Sequence, residues 1–180
     1  MDFTEKRISR EHIYTGGIFE LYHDKVLLPD GKQTERDCVY HNGGAGVVAV
    51  TDEDEILFVR QYRYVCSEET LEIPAGKLEK GEDPYYAALR ELEEETGAKA
   101  KHMEKIAECY STPGFCSEKL HLYFAGGLTF GKQSLDPEEF LNVVKIPSKK
   151  AIEMAKNGEF RDLKTAAGVL YYAAFKKAAD

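Results

Sequence analysis

The sequence predicts an α/β fold: a mixed-sheet α/β/α sandwich with a small antiparallel β-sheet appended at the N-terminus. Three observations lead there. Short apolar, strand-like runs lie on both sides of one strongly marked helix at 84–96. Two more helical segments close the chain. The first forty residues are strand-rich and fold back through a turn.

Ile18 to Leu28 is apolar-rich, Pro29-Asp30-Gly31-Lys32 supplies a turn, and Thr34 to His41 returns, which is a hairpin pattern. Asn42-Gly43-Gly44 forms a hinge, so the chain divides into an appendage at 1–42 and a main domain at 43–180. Ala45 to Val50 (AGVVAV) is a buried strand, Asp52-Glu53-Asp54 a turn, and Ile56 to Gln61 (ILFVRQ) the next strand. Leu71 to Pro74 leads into a loop before the helix. Lys105–Tyr110, Leu120–Ala125 and Leu141–Ile146 are further strands. Ser148 N-caps a helix that ends near Asn157-Gly158. Asp162 caps the last one, through about Lys177, with Leu163, Ala167, Leu170 and Ala174 on one face.

The helix at 84–96 carries the chemistry. Asp83 is a good N-cap, Pro84 suits the first helical position and Gly97 stops the helix. Tyr85, Ala88, Leu89 and Leu92 form one apolar stripe, expected to be buried. Glu91, Glu94 and Glu95 form another, at i, i+3 and i+4. Like charges at that spacing weaken an isolated helix by a few tenths of a kcal/mol per pair. A hard divalent cation would offset the repulsion, since Mg²⁺ takes oxygen ligands, keeps waters and binds substrate phosphates. A solvated acidic face is the plainer explanation of most glutamate runs. The surrounding spacing decides for metal: Gly76, five residues, Glu82, seven residues, Arg90-Glu91-Leu92, then Glu94-Glu95 and Gly97-Ala98.

Composition narrows the field. With 180 residues, 43% hydrophobic and 31% charged, this is a soluble globular domain with at most a small appendage. The net charge is −8, and no basic stripe offers a nucleic-acid footprint. No apolar run reaches membrane-spanning length, and MDFTEKRISR lacks a signal-peptide core, so a cytoplasmic location and no membrane partner are expected. Cys38, Cys66, Cys109 and Cys116 contain no CxxC pair and are expected to be free thiols.

The stretch Gly76–Ala98 resembles the complete signature of the Nudix hydrolases. The resemblance implies the same sandwich. It also implies that Glu91, Glu94 and Glu95 ligate Mg²⁺ or Mn²⁺, that the Ala75 carbonyl completes the site, and that Arg90 orients a glutamate. Glu82 would brace the loop or ligate through water. Leu71-Glu72-Ile73-Pro74-Ala75-Gly76 is similar to the LExPAG lead-in of ADP-ribose and ADP-sugar pyrophosphatases, and Arg60-Gln61-Tyr62-Arg63 to their RQYR strand end. Ser111 to Glu118 (STPGFCSE) resembles their SPGF-x-x-E loop, with Pro113 sixteen residues beyond Gly97. These resemblances imply hydrolysis of ADP-ribose to AMP and ribose 5-phosphate. Glu118 would then be general base or an added metal ligand. Arg60 and Arg63 would bind phosphate, Glu72 the ribose hydroxyls, and Pro113-Gly114 would line the loop. In that subfamily the N-terminal sheet is exchanged between two protomers, which would bring Phe19, Tyr22, Arg36 or Asp37 to a substrate held by the other chain of a homodimer. Two other readings stay open: a hydrolase of another nucleoside diphosphate sugar or an oxidised nucleotide, and a non-catalytic ADP-ribose-sensing module.

Overall fold

Alternating side chains between Lys6 and His41 build three antiparallel strands, β1 (Lys6–Thr15), β2 (Phe19–Leu27) and β3 (Gln33–His41), in the order β1-β2-β3. The computed structural model describes residues 2–179. The expected hairpin is β2–β3, turned by Gly31 at φ 85°. The sequence did not single out β1, which is exposed along its whole length and interrupted by two register shifts. The Arg10 guanidinium lies between the rings of Tyr22 and Tyr40, 4.5 and 4.6 Å from their centroids, and forks onto the buried Asp24 at 2.7 and 2.6 Å. This sheet forms one compact unit with Tyr110–Lys119. The Val39 N–H donates to the Phe115 carbonyl at 2.8 Å, the Ser117 N–H to the Val39 carbonyl at 2.9 Å, and the His41 N–H to Ser117 Oγ at 3.0 Å. The loop thus satisfies the open edge of β3. A division of the chain at 42/43 leaves it on the other side.

The second unit runs from Gly44 to Cys109 and resumes at Leu120. Its elements are β4 (Gly44–Ala49), β5 (Glu55–Arg63), β6 (Glu68–Glu72), β7 (Ala75–Lys77), α1 (Pro84–Thr96), β8 (Ala98–Tyr110), β9 (Lys119–Phe130), β10 (Leu141–Pro147), α2 (Ser148–Lys156) and α3 (Leu163–Ala179). One sheet has the order β10-β5-β6, the other β7-β4-β9-β8. β4 runs parallel to β9 and antiparallel to β7, so the sheet is mixed. Every residue of β4 is buried. Alternation along it sends Val48 into a core with Phe58, Ile73, Leu122 and Val169, and Val47 and Ala49 into a second core with Leu57, Ala88 and Leu92. The first core includes α2 and α3 residues and the second α1 residues, which is the sandwich the sequence predicts.

Two expectations need correction, for α1 and α2, and α3 gains detail. On α1, Ala88 and Leu92 are buried, but Tyr85 is exposed and its place is taken by Ala87, Glu91 and Glu95. On α3, of the face Leu163, Ala167, Leu170 and Ala174, only Ala167 packs against the core, and Thr165, Gly168, Val169 and Tyr172 form the buried face. That buried face contains a threonine and a glycine, so hydrophobicity alone did not reveal it. Ser148 is the first helical residue of α2 and not its N-cap; it is 2% exposed, and its N–H donates to the Asp54 carbonyl at 2.8 Å. All four cysteines are free. Among the described residues no helix is long and apolar enough to cross a membrane.

Candidate active site

Local chemistry fixes α1. Asp83 accepts the Tyr85 N–H at 2.9 Å, and Gly97 leaves the helix in the left-handed region at φ 71°. The short strand β7 lies against the glutamate stripe. The Ala75 N–H donates to Glu95 Oε2 at 2.9 Å. Gly76 is required at the next position, because a Cβ there would sit 1.9 Å from Glu91 Oε1. Only a residue without a side chain lets that carboxylate rest on the backbone.

Arg90 organises the acidic groups. Its Nη1 donates to Glu91 Oε1 at 2.8 Å and to Glu94 Oε2 at 3.1 Å, and its Nε to Glu82 Oε1 at 3.3 Å. Glu82 Oε2 also accepts the Glu79 N–H at 2.9 Å, which closes the loop before the helix. That backbone hydrogen bond, helped by Arg90, holds the Glu82 carboxyl below its ordinary value. Glu91 and Glu95 behave differently. Burial raises Glu91 against the pull of Arg90. Burial pushes Glu95 up to about 8; the Ala75 N–H opposes the shift, and the charges of Glu91 and Glu139 add to it.

The fit of a divalent cation can be judged from these donors. Glu95 is 3% exposed, and among the described residues no side-chain cation pairs with it. Lys164 acts on it only through its charge, without a direct contact, and a buried carboxylate without a paired counter-ion is costly. Hard oxygen donors set at backbone distance from β7 suit an oxygen-seeking cation. Among the described residues no three His, Cys, Asp or Glu side chains already converge on one point, since Glu91 and Glu94 are drawn onto Arg90. Mg²⁺ tolerates this, because it keeps waters and takes substrate oxygens as ligands.

The raised Glu95 carboxyl has a consequence for stability. Its folded value of about 8 exceeds the ordinary 4.5, so its contribution is fully present below 4.5 and is lost as pH rises towards 8. Denaturant midpoints of the metal-free protein are expected to fall across that window. Saturating Mg²⁺ or the substitution Glu95→Gln should each flatten the fall.

At the end of β6, Glu72 is 2% exposed. Arg63 forks onto it at 2.7 and 2.6 Å, Thr70 Oγ1 donates at 2.6 Å, and Lys164 of α3 donates to Oε2. Burial would raise this carboxyl, but Arg63 and Lys164 outweigh it and hold it at about 2. These four donors fill the acceptor positions of Glu72 and leave none for a ribose hydroxyl. Glu72 instead orients Arg63. Arg60 and Arg63, read together from the sequence, separate: strand alternation puts Arg60 in a shallow cleft with Leu71, Met154 and Phe160.

The remaining candidates belong to the unit of the N-terminal sheet. Arg36 pairs with Glu5 at 2.7 Å, Asp37 with His23 at 2.8 Å, and Phe19 packs on Tyr14. Pro113 and Gly114 are exposed in a turn closed by the Cys116 N–H on the Thr112 carbonyl at 3.1 Å. Glu118 lies 3.7 Å from His41 Nδ1. Sequence reasoning missed Glu139. It sits in the segment between β9 and β10, and its charge helps raise both Glu91 and Glu95. No spacing in the sequence ties it to α1; only the folded chain does.

A family model described as NUDIX domain matches residues 40–167. The chain belongs to the Nudix family. It is 44% identical over 169 residues to an ADP-ribose pyrophosphatase of Bacillus subtilis (strain 168), covering 93% of this chain and 91% of that protein. It is 42% identical over 171 residues to a methanol dehydrogenase activator of Bacillus methanolicus, covering 94% and 92%. A crystal structure of an ADP compounds hydrolase superposes with a TM-score of 0.88 at 19% identity, covering 99% of this chain and 98% of that one, and this shows the shared fold. Nudix hydrolases generally use divalent metal ions.

Proposed function

We propose that this chain hydrolyses ADP-ribose and related ADP-sugars to AMP and ribose 5-phosphate with Mg²⁺ or Mn²⁺. The observation that carries the reading is the pair of buried carboxylates, Glu91 and Glu95, set against the backbone of Ala75 and Gly76. The resemblance of LEIPAG and RQYR to the ADP-ribose group, and the name of the Bacillus subtilis relative, support the substrate.

Glu91, Glu95 and the Ala75 carbonyl would hold the cation, with Glu94 and Glu82 completing the shell directly or through water. When bound, such a cation polarises phosphoryl oxygens and lowers the pKa of a bound water. Arg90 keeps Glu91 and Glu94 in place. Arg63, fixed by Glu72, has N–H groups left over to meet the diphosphate. A further carboxylate takes the proton from the attacking water. Two candidates exist: Glu118 by resemblance, and Glu139 because its charge acts on Glu91 and Glu95. The N-terminal sheet, whose outer strand is exposed throughout, would be exchanged in a homodimer and bring Phe19, Arg36 and Asp37 to the adenine end, with Pro113 and Gly114 nearby.

A panel of ADP-ribose, ADP-glucose, GDP-mannose and an oxidised nucleotide, assayed by phosphatase-coupled phosphate release, tests the substrate. ADP-ribose is expected to lead; a clear preference for GDP-mannose would overturn the choice. In the same assay the true proton acceptor is expected to cost roughly 10²–10⁴-fold in kcat when changed to glutamine, and the other candidate much less. The name of the Bacillus methanolicus relative favours a second reading, in which hydrolysis serves to activate a dehydrogenase. Added to such an enzyme, this protein would then raise its rate, and Glu95→Gln would not.

A further inference from the structure

The first turn of α3 is tied to Glu72, the last residue of β6, and to Ile73 just beyond it. Lys164, with a side chain 14% exposed, donates to Glu72 Oε2 and at 3.0 Å to Asp162 Oδ2. Asp162 Oδ2 also accepts the Thr165 N–H at 3.0 Å and its hydroxyl at 2.5 Å. Thr165, fully buried, accepts the Ile73 N–H at 2.8 Å. The same run continues to Ala75, whose N–H meets Glu95. Two cations, Arg63 and Lys164, thus face two anions, Glu72 and Asp162, on the path from α3 to α1. Only Arg63 is substantially open to solvent, at 43%. Its Nε and Nη2 are taken by Glu72, and Nη1 is not.

From this arrangement we propose that Lys164 is a positioning residue. Together with Thr70 it holds the Glu72 carboxylate from behind, so that Glu72 presents Arg63 in one orientation, with Nη1 aimed outward for a substrate phosphate. The inference rests on the proposed reading of Arg63 as the diphosphate ligand. Without Lys164 the carboxylate loses one of its two rear donors and can rotate about its Cγ–Cδ bond. The half-exposed guanidinium follows it. Phosphate recognition by a guanidinium fork depends on its plane, so a rotation weakens it without removing any charge that touches substrate.

The test measures KM, kcat and melting temperature for Lys164→Met, Lys164→Arg, Arg63→Gln and the double variant Lys164→Met/Arg63→Gln, with ADP-ribose and saturating Mg²⁺. Arg63→Gln is expected to lower kcat/KM by roughly 10–100-fold, mainly through KM, and Lys164→Met by about tenfold through the same parameter. Lys164→Arg should restore most of the loss. The double variant should be no worse than Arg63→Gln alone, because both act through one guanidinium. If Lys164→Met lowers the melting temperature but leaves kcat/KM at the wild-type value, or if the two losses multiply, Lys164 is merely structural and the proposal is wrong. If Arg63→Gln itself leaves kcat/KM unchanged, the phosphate role of Arg63 fails, and the positioning role falls with it by a different route. Should Lys164→Met not fold, Thr70→Val removes the other rear donor at nearly constant volume; a two- to threefold rise in KM is expected, and an unchanged KM overturns the proposal.

Discussion

Glu95→Gln is expected to lower kcat by roughly 10²–10³-fold while the protein stays folded, the scale seen when one preorganised group that stabilises transition-state charge is removed. The amide matches the carboxylate in volume and can still accept the Ala75 N–H through its carbonyl oxygen. It carries no charge for a cation. Because burial disfavours the ionised form of Glu95, the metal-free variant should be at least as stable as the parent near pH 7. Lost turnover with retained or raised stability is the combination that separates a ligand from a structural carboxylate. Steady-state kinetics and a denaturant titration on the same preparation measure both. A variant that turns over ADP-ribose near the wild-type rate would remove Glu95 from the chemistry.

Gly76→Ala should be nearly as damaging to activity and almost silent in stability. The introduced Cβ would fall 1.9 Å from Glu91 Oε1 and 2.0 Å from its Cδ, so the carboxylate must move. What it meets is the far end of a flexible side chain, which can rotate away at small cost to the fold. A displacement on the order of an ångström at a reacting centre costs about 10²-fold. The expected result is a fall in kcat of that order with an unfolding free energy within about 1 kcal/mol of the parent. The double variant Gly76→Ala/Glu91→Gln should be no slower than Glu91→Gln, since both changes disable the same carboxylate. Full activity in Gly76→Ala would mean that Glu91 need not lie against β7.

Much of this was legible in the sequence because the chemistry is local. The bounds of α1, its Asp83 cap and its Gly97 stop follow from residues within a few positions of one another. So does the placing of Glu91, Glu94 and Glu95 on one stripe. The hairpin around Gly31 and the buried run of β4 are legible for the same reason. What was hidden depends on contacts distant in sequence. The 110–119 loop reads as part of the main domain until the open edge of β3 claims it. Glu72 reads as a free acceptor until Lys164, 92 residues away, fills it from the far side. Arg60 and Arg63 read as one basic motif, yet a strand sends residues three apart to opposite faces. The buried face of α3 escaped detection because its residues include Thr165 and Gly168, which pack by hydrogen bonding and by smallness. Glu139 approaches through a segment with no periodic pattern at all.

The central claim is that Glu91 and Glu95 are placed to hold a divalent cation against a diphosphate. Mn²⁺ titration followed by electron paramagnetic resonance, with AMP present to supply phosphate oxygens, measures this most directly. The account predicts that the wild-type protein removes the free-ion signal at a fixed stoichiometry and that Glu95→Gln does not. Equal Mn²⁺ uptake by both proteins, or none by the wild type, would contradict it.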